Sequence, residues 1–140
     1  MNWDEYFISI AEQVATKSKD PSTKTGCVIV DEKHRPVSFG YNGFIAGCDE
    51  SKMTNERPMK YHLVIHAEMN ALANACYNGC QVKDSEIYLT LSPCNKCILQ
   101  LIQFGVKKIY YLREYKDFEL TKKIADNADI ELIKLEEDEL

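Results

Sequence analysis

The sequence predicts an α/β fold in which helices cover both faces of one mixed β-sheet, a three-layer α/β/α arrangement. Apolar residues at helical spacing open the chain, and two strand-like runs joined by a charged turn follow them. Three further strand-like runs then each follow a helical one. Strands joined through helices are expected to be parallel, with right-handed crossovers. Because the first two strands form a hairpin, the sheet as a whole is mixed.

The first elements are a helix and a hairpin. Apolar residues at helical spacing predict an amphipathic helix from residue 3 to about residue 18. Asn2 and Glu5 have the spacing of a capping box at its start. The strand-like runs at 27–30 and 37–41 are joined by a short charged turn, which predicts a hairpin.

The rest of the chain alternates helices and strands after a long polar loop. This loop runs from residue 42 to about residue 62, and a loop of that length in a compact domain is usually functional. The remaining predicted elements are a helix over 66–77, a strand over 87–91, a helix over 93–105 with Pro93 in its first turn, a strand over 108–112, a helix over 117–128 and a strand over 130–135. The acidic residues 136–139 predict a solvated tail.

Composition indicates one soluble globular domain, residues 1–140. The chain can bury a real core, and its 45% apolar and 28% charged residues are ordinary for such a protein. No apolar run approaches the length of a membrane span, and the first residues lack the basic start and apolar block of a signal peptide. Six cysteines in this setting indicate reduced thiols and a cytoplasmic location.

The net charge of −5 bears on the class of partner. A long nucleic acid needs a basic footprint for its phosphates, so none is expected here, and no membrane partner is expected either. A small anionic ligand needs only a few local cations. The negative net charge therefore favours an enzyme that acts on small molecules.

Two short motifs carry the chemistry. The first is His66-Ala67-Glu68, and the second is Pro93-Cys94-Asn95-Lys96-Cys97. Zinc takes one imidazole and two thiolates readily, and a site with three protein ligands leaves a fourth position for water. Glu68 lies close enough to the histidine to carry a proton for that water. This order of residues is the signature of the zinc deaminases.

Plainer interpretations stand beside this one. A Cys-x-x-Cys pair at a helix start also suits a redox site, but the upstream His-x-Glu favours zinc. A closed structural zinc site would need a fourth ligand and would have no use for the carboxylate. The other cysteines and histidines are interpreted as ordinary side chains, with a second ion at the i,i+4 pair of cysteines as an alternative: Cys27, Cys48, Cys76, Cys80, His34 and His62.

With both motifs placed, the chain resembles the deoxycytidylate (dCMP) deaminases of the cytidine deaminase superfamily. The resemblance runs from Trp3 to the last strand, and its more particular marks are Ser18-Lys19-Asp20-Pro21, Gly40-Tyr41-Asn42-Gly43, Gly47-Cys48, Arg57-Pro58-Met59-Lys60-Tyr61, His66-Ala67-Glu68-Met69-Asn70-Ala71 and Leu91-Ser92-Pro93-Cys94-Asn95-Lys96-Cys97. It implies a five-stranded mixed sheet between helices, in agreement with the order of elements above.

The resemblance also implies an activity. His66, Cys94 and Cys97 would hold Zn2+, and Glu68 would shuttle protons while dCMP is hydrolysed to dUMP and ammonia, supplying a precursor of dTMP. Asn42 would contact the sugar, although it also suits a turn before Gly43. The other implied substrate contacts are main-chain groups of Ala67 and Ser92 on the pyrimidine, Tyr115 beside it (or as an ordinary exposed tyrosine), and Lys19 and Lys24 on the phosphate.

Regulation is implied by the same resemblance. In this family the long loop helps to form a second nucleotide site, where dCTP with Mg2+ activates and dTTP inhibits, and the assembly is commonly a hexamer. The corresponding residues here are Gly43, Gly47, Asp49, Arg57 and Lys60. One departure is Phe44-Ile45-Ala46, which replaces a proline-containing stretch and puts effector binding in question.

Other functions remain open from the sequence. A related deaminase acting also on dCTP, on free cytidine or on an adenosine in transfer RNA has the same zinc motif. The acidic balance counts against transfer RNA, and the nucleotide-branch motifs count against the free nucleoside. A non-catalytic zinc-stabilised binding module is the alternative outside enzymes, and Glu68 counts against it because structure alone does not require that carboxylate.

Overall fold

A computed structural model describes residues 1–137 of the chain. The five helices are α1 Trp3–Ala15, α2 Lys60–Leu63, α3 Ala67–Tyr77, α4 Asn95–Gln103 and α5 Phe118–Asn127. The five strands are β1 Gly26–Val30, β2 Pro36–Tyr41, β3 Glu86–Leu91, β4 Lys108–Arg113 and β5 Glu131–Lys134. In the part of the chain that is described, no helix is long and apolar enough to cross a membrane.

The strands form one five-stranded sheet in the order β2-β1-β3-β4-β5. Strand β1 is antiparallel to both of its neighbours, while β3, β4 and β5 run parallel to one another. The prediction of a mixed five-stranded sheet is therefore confirmed.

Helices cover the two faces of the sheet unequally. Helix α1 packs its buried residues Phe7 and Ile8 against one face, in a cluster with Val28 and Tyr88. Helices α3, α4 and α5 contribute to a larger buried cluster on the other face. Side chains of a strand alternate between faces, so each central strand serves both clusters.

Gly40 allows α3 to lie unusually close to β2. A Cβ atom at residue 40 would be 2.3 Å from the backbone nitrogen of Ala71 and 2.4 Å from the carbonyl oxygen of Ala67. Only a residue without a side chain fits there. This contact fixes the start of α3, which carries the first of the two motifs.

The structure corrects two local predictions. Helix α1 ends at Ala15, not near residue 18, because the amides of residues 16–18 bond to carbonyls only three residues back and tighten the chain into turns. Pro93 precedes α4: Cys94 is extended and caps the helix, which begins at Asn95.

The long loop contains regular structure of its own. A 3-10 turn spans Glu50–Lys52 and α2 follows it, while the backbones of Gly43 and Ile65 pair across the base of the loop. The predicted acidic tail reaches the end of the described residues, where Glu137 pairs with Arg113. Its last two predicted positions, 138 and 139, lie outside them.

Candidate metal centre and active site

Two helix starts bring three metal-ligand side chains together. His66 caps α3, Cys94 caps α4, and Cys97 lies in the first turn of α4. Their ligand atoms all lie within 4.8 Å of one another. Because α3 and α4 begin at the same side of the sheet, motifs that are 28 residues apart in sequence become neighbours in space.

The spacing of these atoms suits a tetrahedral zinc ion. Nδ1 of His66 is 3.6 Å from Sγ of Cys94 and 3.3 Å from Sγ of Cys97. Zinc bonds of ordinary length at a tetrahedral angle would separate a nitrogen and a sulfur ligand by about 3.6 Å. The donor set therefore fits zinc in both chemistry and distance.

The thiols of Cys94 and Cys97 have pKa values shifted in opposite directions. The hydrogen bond from Cys97, strengthened by the one from His66, lowers the pKa of Cys94 to about 3. The same bond to Cys94, together with burial, raises the pKa of Cys97. One thiolate is thus present at neutral pH, and metal binding favours the second because the ligand form of cysteine is the thiolate.

Glu68 lies in the first turn of α3, directly behind this cluster. Glu68 is only 5% exposed, and its Oε1 atom is 3.9 Å from Nδ1 of His66. Burial raises its pKa, against the attraction of the neighbouring imidazole. A carboxyl with a raised pKa holds a proton more readily than an exposed glutamate, which suits it to proton transfer.

The cluster opens into a cavity of about 360 Å³. His66, Glu68 and Cys94 form part of its wall, and Asn42, Ser92 and Tyr115 line it as well. Ala67 is buried between His66 and Glu68, with 1% of its surface exposed. Of the predicted substrate contacts, four thus lie at or next to one cavity.

Asn42 and Ser92 also hold the walls of this cavity together. The Asn42 side chain accepts a hydrogen bond from the amide of Thr25 at 2.9 Å and donates one to the carbonyl of Thr23 at 2.9 Å. The Ser92 hydroxyl accepts a hydrogen bond from the amide of Tyr115 at 2.8 Å. The amide of Ser92 is itself engaged with a carbonyl of β4, so its own carbonyl is the main-chain group left for a ligand.

The two lysines predicted for the phosphate lie elsewhere. Lys19 lines a different cavity, where its ammonium pairs with Glu50 at 2.8 Å, and Lys24 donates to the backbone carbonyl of Ser18. Neither is among the residues that line the cavity beside the metal cluster. Their contact with a substrate phosphate stays a prediction from the resemblance, which the lining of this cavity does not support.

Three other cationic side chains, which the sequence analysis did not connect with the substrate, line the cavity. They are Arg57, Lys60 and Lys116. Lys116 directly follows Tyr115, which was predicted to lie beside the substrate, and this position could have indicated a substrate contact. The indication is weak, because a lysine in a polar loop has no distinguishing sequence pattern.

A second cavity of about 320 Å³ lies on the other side of Asp20, which lines both. Gly43 and Gly47 line this second cavity, as predicted for an effector site. Arg57 and Lys60, expected beside them, face the first cavity. Asp49 caps the 3-10 turn by accepting from the amide of Ser51. The five predicted effector residues therefore do not form one cluster.

Comparison with known proteins places the chain in a family. Residues 1–113 match the model of the cytidine and deoxycytidylate deaminase zinc-binding region. A Caenorhabditis elegans protein named "Probable deoxycytidylate deaminase" is 44% identical over 128 residues, which are 87% of this chain and 64% of that protein. The Mus musculus deoxycytidylate deaminase is 38% identical over 128 residues, 86% of this chain and 71% of that protein. The chain thus spans about two thirds of these relatives' length.

A solved structure has the same fold over nearly the whole chain. The dCMP deaminase of cyanophage S-TIM5, crystallised with dCMP and dUMP, superposes with a TM-score of 0.79 and 28% identity, covering 94% of this chain and 95% of that one. The match includes the five-stranded mixed sheet and the helices around it. This chain therefore belongs to the family of zinc-binding cytidine and deoxycytidylate deaminases.

Proposed function

We propose that this protein is a zinc-dependent deaminase that hydrolyses dCMP to dUMP and ammonia. The observation that carries the proposal is the cluster of His66, Cys94 and Cys97 beside a cavity whose wall includes His66, Cys94 and Glu68. Cations line the same cavity, which suits a phosphorylated substrate. Relatives named as deoxycytidylate deaminases, and the solved phage enzyme with dCMP and dUMP, support the choice of substrate.

His66, Cys94 and Cys97 would hold the zinc ion. Zinc, when bound there, acts as a Lewis acid that lowers the pKa of water toward neutrality and so supplies a nucleophile for C4 of the cytosine ring. The starts of α3 and α4 both point to this place, and the positive ends of the two helix dipoles favour negative charge there.

Glu68 would move the protons. It accepts a proton from the attacking water and delivers it to N3 of the cytosine, which makes C4 more electrophilic. It then takes the proton of the hydroxyl group now bonded to C4 and passes it to the amino group, so that the C4–N bond breaks, ammonia leaves and the C4 carbonyl forms. Burial suits Glu68 to both steps, since a carboxyl shielded from water holds a proton more readily than an exposed one.

The remaining cavity residues would orient the nucleotide. Asn42 would contact the sugar, and the backbones of Ala67 and Ser92 would meet the pyrimidine edge. Tyr115 would pack beside the base, held by the Ser92 hydroxyl. These roles rest on the family resemblance and on the positions of the four residues around one cavity.

Regulation and assembly form a second level of the proposal. The second cavity, with Gly43, Gly47 and Lys19 in its wall, would bind dCTP with Mg2+ as activator or dTTP as inhibitor, in a hexameric assembly. Asp20 lines both cavities, so a ligand that displaces Asp20 in one cavity would also change the wall of the other. All six cysteines are free thiols, which supports a reducing cytoplasm, where dUMP would serve the synthesis of dTMP.

One assay tests the substrate directly. Ammonia release is measured with dCMP, dCTP, deoxycytidine, cytidine and an adenosine-bearing transfer RNA, using protein whose zinc content is known. We expect the highest kcat/KM with dCMP. Equal or higher kcat/KM with another substrate would replace dCMP, and zinc-loaded protein without activity on any of them would point to a binding module.

A further inference from the structure

Lys116 lies between two tyrosine rings at the cavity beside the metal cluster. Its Nζ atom is 5.7 Å from the ring centroid of Tyr61 and 6.0 Å from that of Tyr115. Tyr61 belongs to α2, whereas Tyr115 and Lys116 follow β4. All three residues line the cavity that contains His66 and Glu68. One ammonium thus bridges two separate segments of the cavity wall.

Two cations that line this cavity, Arg57 and Lys116, make no ion pair within residues 1–137. Arg57 donates a hydrogen bond to the Ser22 hydroxyl, whereas Lys116 lies over two aromatic rings. Lys60 is buried and its ammonium is 3.1 Å from the carboxylate of Asp20, so its charge is already compensated. Glu114, a carboxylate that lines the same cavity, is 3.7 Å from the ammonium of Lys134. Within residues 1–137, Lys116 makes no ion pair. Its positive charge is therefore available to a ligand in the cavity.

The two tyrosine rings reduce the rotational freedom that the Lys116 side chain would lose on binding a phosphate. A long, exposed side chain loses much rotational freedom when it binds a phosphate, and that loss weakens binding. Contacts with two aromatic faces hold the ammonium near the cavity before a ligand arrives. A phosphate dianion is a stronger partner than either ring, so the ammonium can turn to it at small cost.

We propose that Lys116 is the residue by which this cavity selects a phosphorylated nucleotide over the free nucleoside, with Tyr61 and Tyr115 as positioning residues for its ammonium. This inference rests on the proposed function. It replaces Lys19 and Lys24 with a lysine that the fold brings to the same cavity as Glu68.

The test compares kcat/KM for dCMP with kcat/KM for deoxycytidine. Lys116→Gln should lower this ratio by roughly 10–100-fold, since a hydrogen bond to a charged group is commonly worth that much. Lys123→Gln is the matched control, because it removes the same charge from an exposed position on α5 that does not line the cavity. It should leave the ratio unchanged. Raising the salt concentration should raise KM for dCMP less in Lys116→Gln than in the natural protein.

The role of the rings is tested through Lys116. Tyr61→Leu should lower the ratio about 2–5-fold, as expected for loss of one cation–π contact, whereas Tyr61→Phe keeps the ring and should restore it. Tyr61 also lies 5.9 Å from the ammonium of Lys60, so the double variant is needed. If Tyr61 acts through Lys116, Tyr61→Leu should have no further effect on the ratio in the Lys116→Gln background.

Two results would overturn the inference. One is an unchanged ratio in Lys116→Gln with zinc content and fold intact. The other is a ratio that falls in Arg57→Gln and not in Lys116→Gln, since Arg57 lines the same cavity. Failure of the proposed function is distinct, because the natural protein would then release no ammonia from dCMP.

Discussion

The ammonium of Lys60 lies 3.1 Å from Oδ2 of Asp20, and the two side chains are 8% and 5% exposed. Lys60 opens α2, and Asp20 belongs to the segment after α1, so the pair joins two parts of the chain 40 residues apart. Asp20 also lines both cavities. This ion pair is therefore a structural element of the wall between them.

Breaking this pair from one side should be costly. Lys60→Met would leave the buried carboxylate of Asp20 without its cation, and we expect a loss of about 3–5 kcal/mol in the free energy of unfolding. Lys19→Met is the matched control, since its pair with Glu50 is 72% and 49% exposed and should be worth less than about 1 kcal/mol. Urea denaturation of both variants measures the difference. Equal losses would show that the buried pair has no special weight.

The same carboxylate should make stability depend on acid. Burial alone would raise the pKa of Asp20, but hydrogen bonds from the amides of Ser22 and Thr23 and from Lys60 lower it to about 2, from an ordinary 3.8. The stabilisation is thus complete above the ordinary pKa and is lost as pH falls toward 2. It amounts to about 2 kcal/mol at neutral pH, since one pKa unit is worth about 1.4 kcal/mol.

Denaturation between pH 6 and pH 2 tests this contribution. The double variant Asp20→Asn/Lys60→Met has neither charge and should lose less stability than the natural protein over that range. Parallel losses in the two proteins would assign the acid sensitivity to other groups.

The sequence was sufficient for the metal cluster and not for this ion pair, for a physical reason. The ligands His66, Cys94 and Cys97 can be recognised in the sequence because zinc binds particular residue types, which here stand at predicted helix starts. Lys60 was predicted for an effector site from the family resemblance of the long loop, and nothing in the sequence pattern indicates that it is buried. Only the packing of α2 against the segment around Asp20 buries it.

Elements were predicted better than their ends and better than the long loop. Periodic apolar residues identify all five strands and the four longer helices. The three-residue turns that end α1 at Ala15, and the extended Cys94 that delays the start of α4, depend on local hydrogen bonds. The sequence does not show where the ammonium groups of Lys19 and Lys24 lie, because the direction of a long side chain is set by its partners, here Glu50 and Ser18.

The close approach at Gly40 should couple stability to the metal site. Gly40→Ala would force a Cβ against the backbone of α3 and displace the helix that carries His66 and Glu68. We expect a loss of about 1–3 kcal/mol in stability and weaker zinc retention during dialysis against a chelator. Gly43→Ala is the control, because its nearest atom would be 3.6 Å away. A Gly40→Ala protein that matches this control in both measurements would show that α3 can shift without consequence.

Effector control should appear in the kinetics. Subunits that couple two kinds of site should give a sigmoidal rate against dCMP concentration, which dCTP with Mg2+ makes hyperbolic and dTTP depresses. Lys19→Gln removes a cation from the second cavity and should weaken the response to both triphosphates. A curve that is hyperbolic throughout and insensitive to both would refute the regulation and leave the zinc chemistry standing.

The most direct test of the account is the rate of ammonia release from dCMP by Glu68→Gln, with zinc content measured on the same sample. Glutamine has nearly the shape of glutamate but cannot carry the proton, so we expect normal zinc, a normal fold and a rate lowered by at least about 10²–10⁴-fold. Glu136→Gln, at an exposed position, should keep the full rate. A Glu68→Gln protein that retains zinc and a tenth of the natural rate would contradict the assignment of Glu68 as the proton carrier.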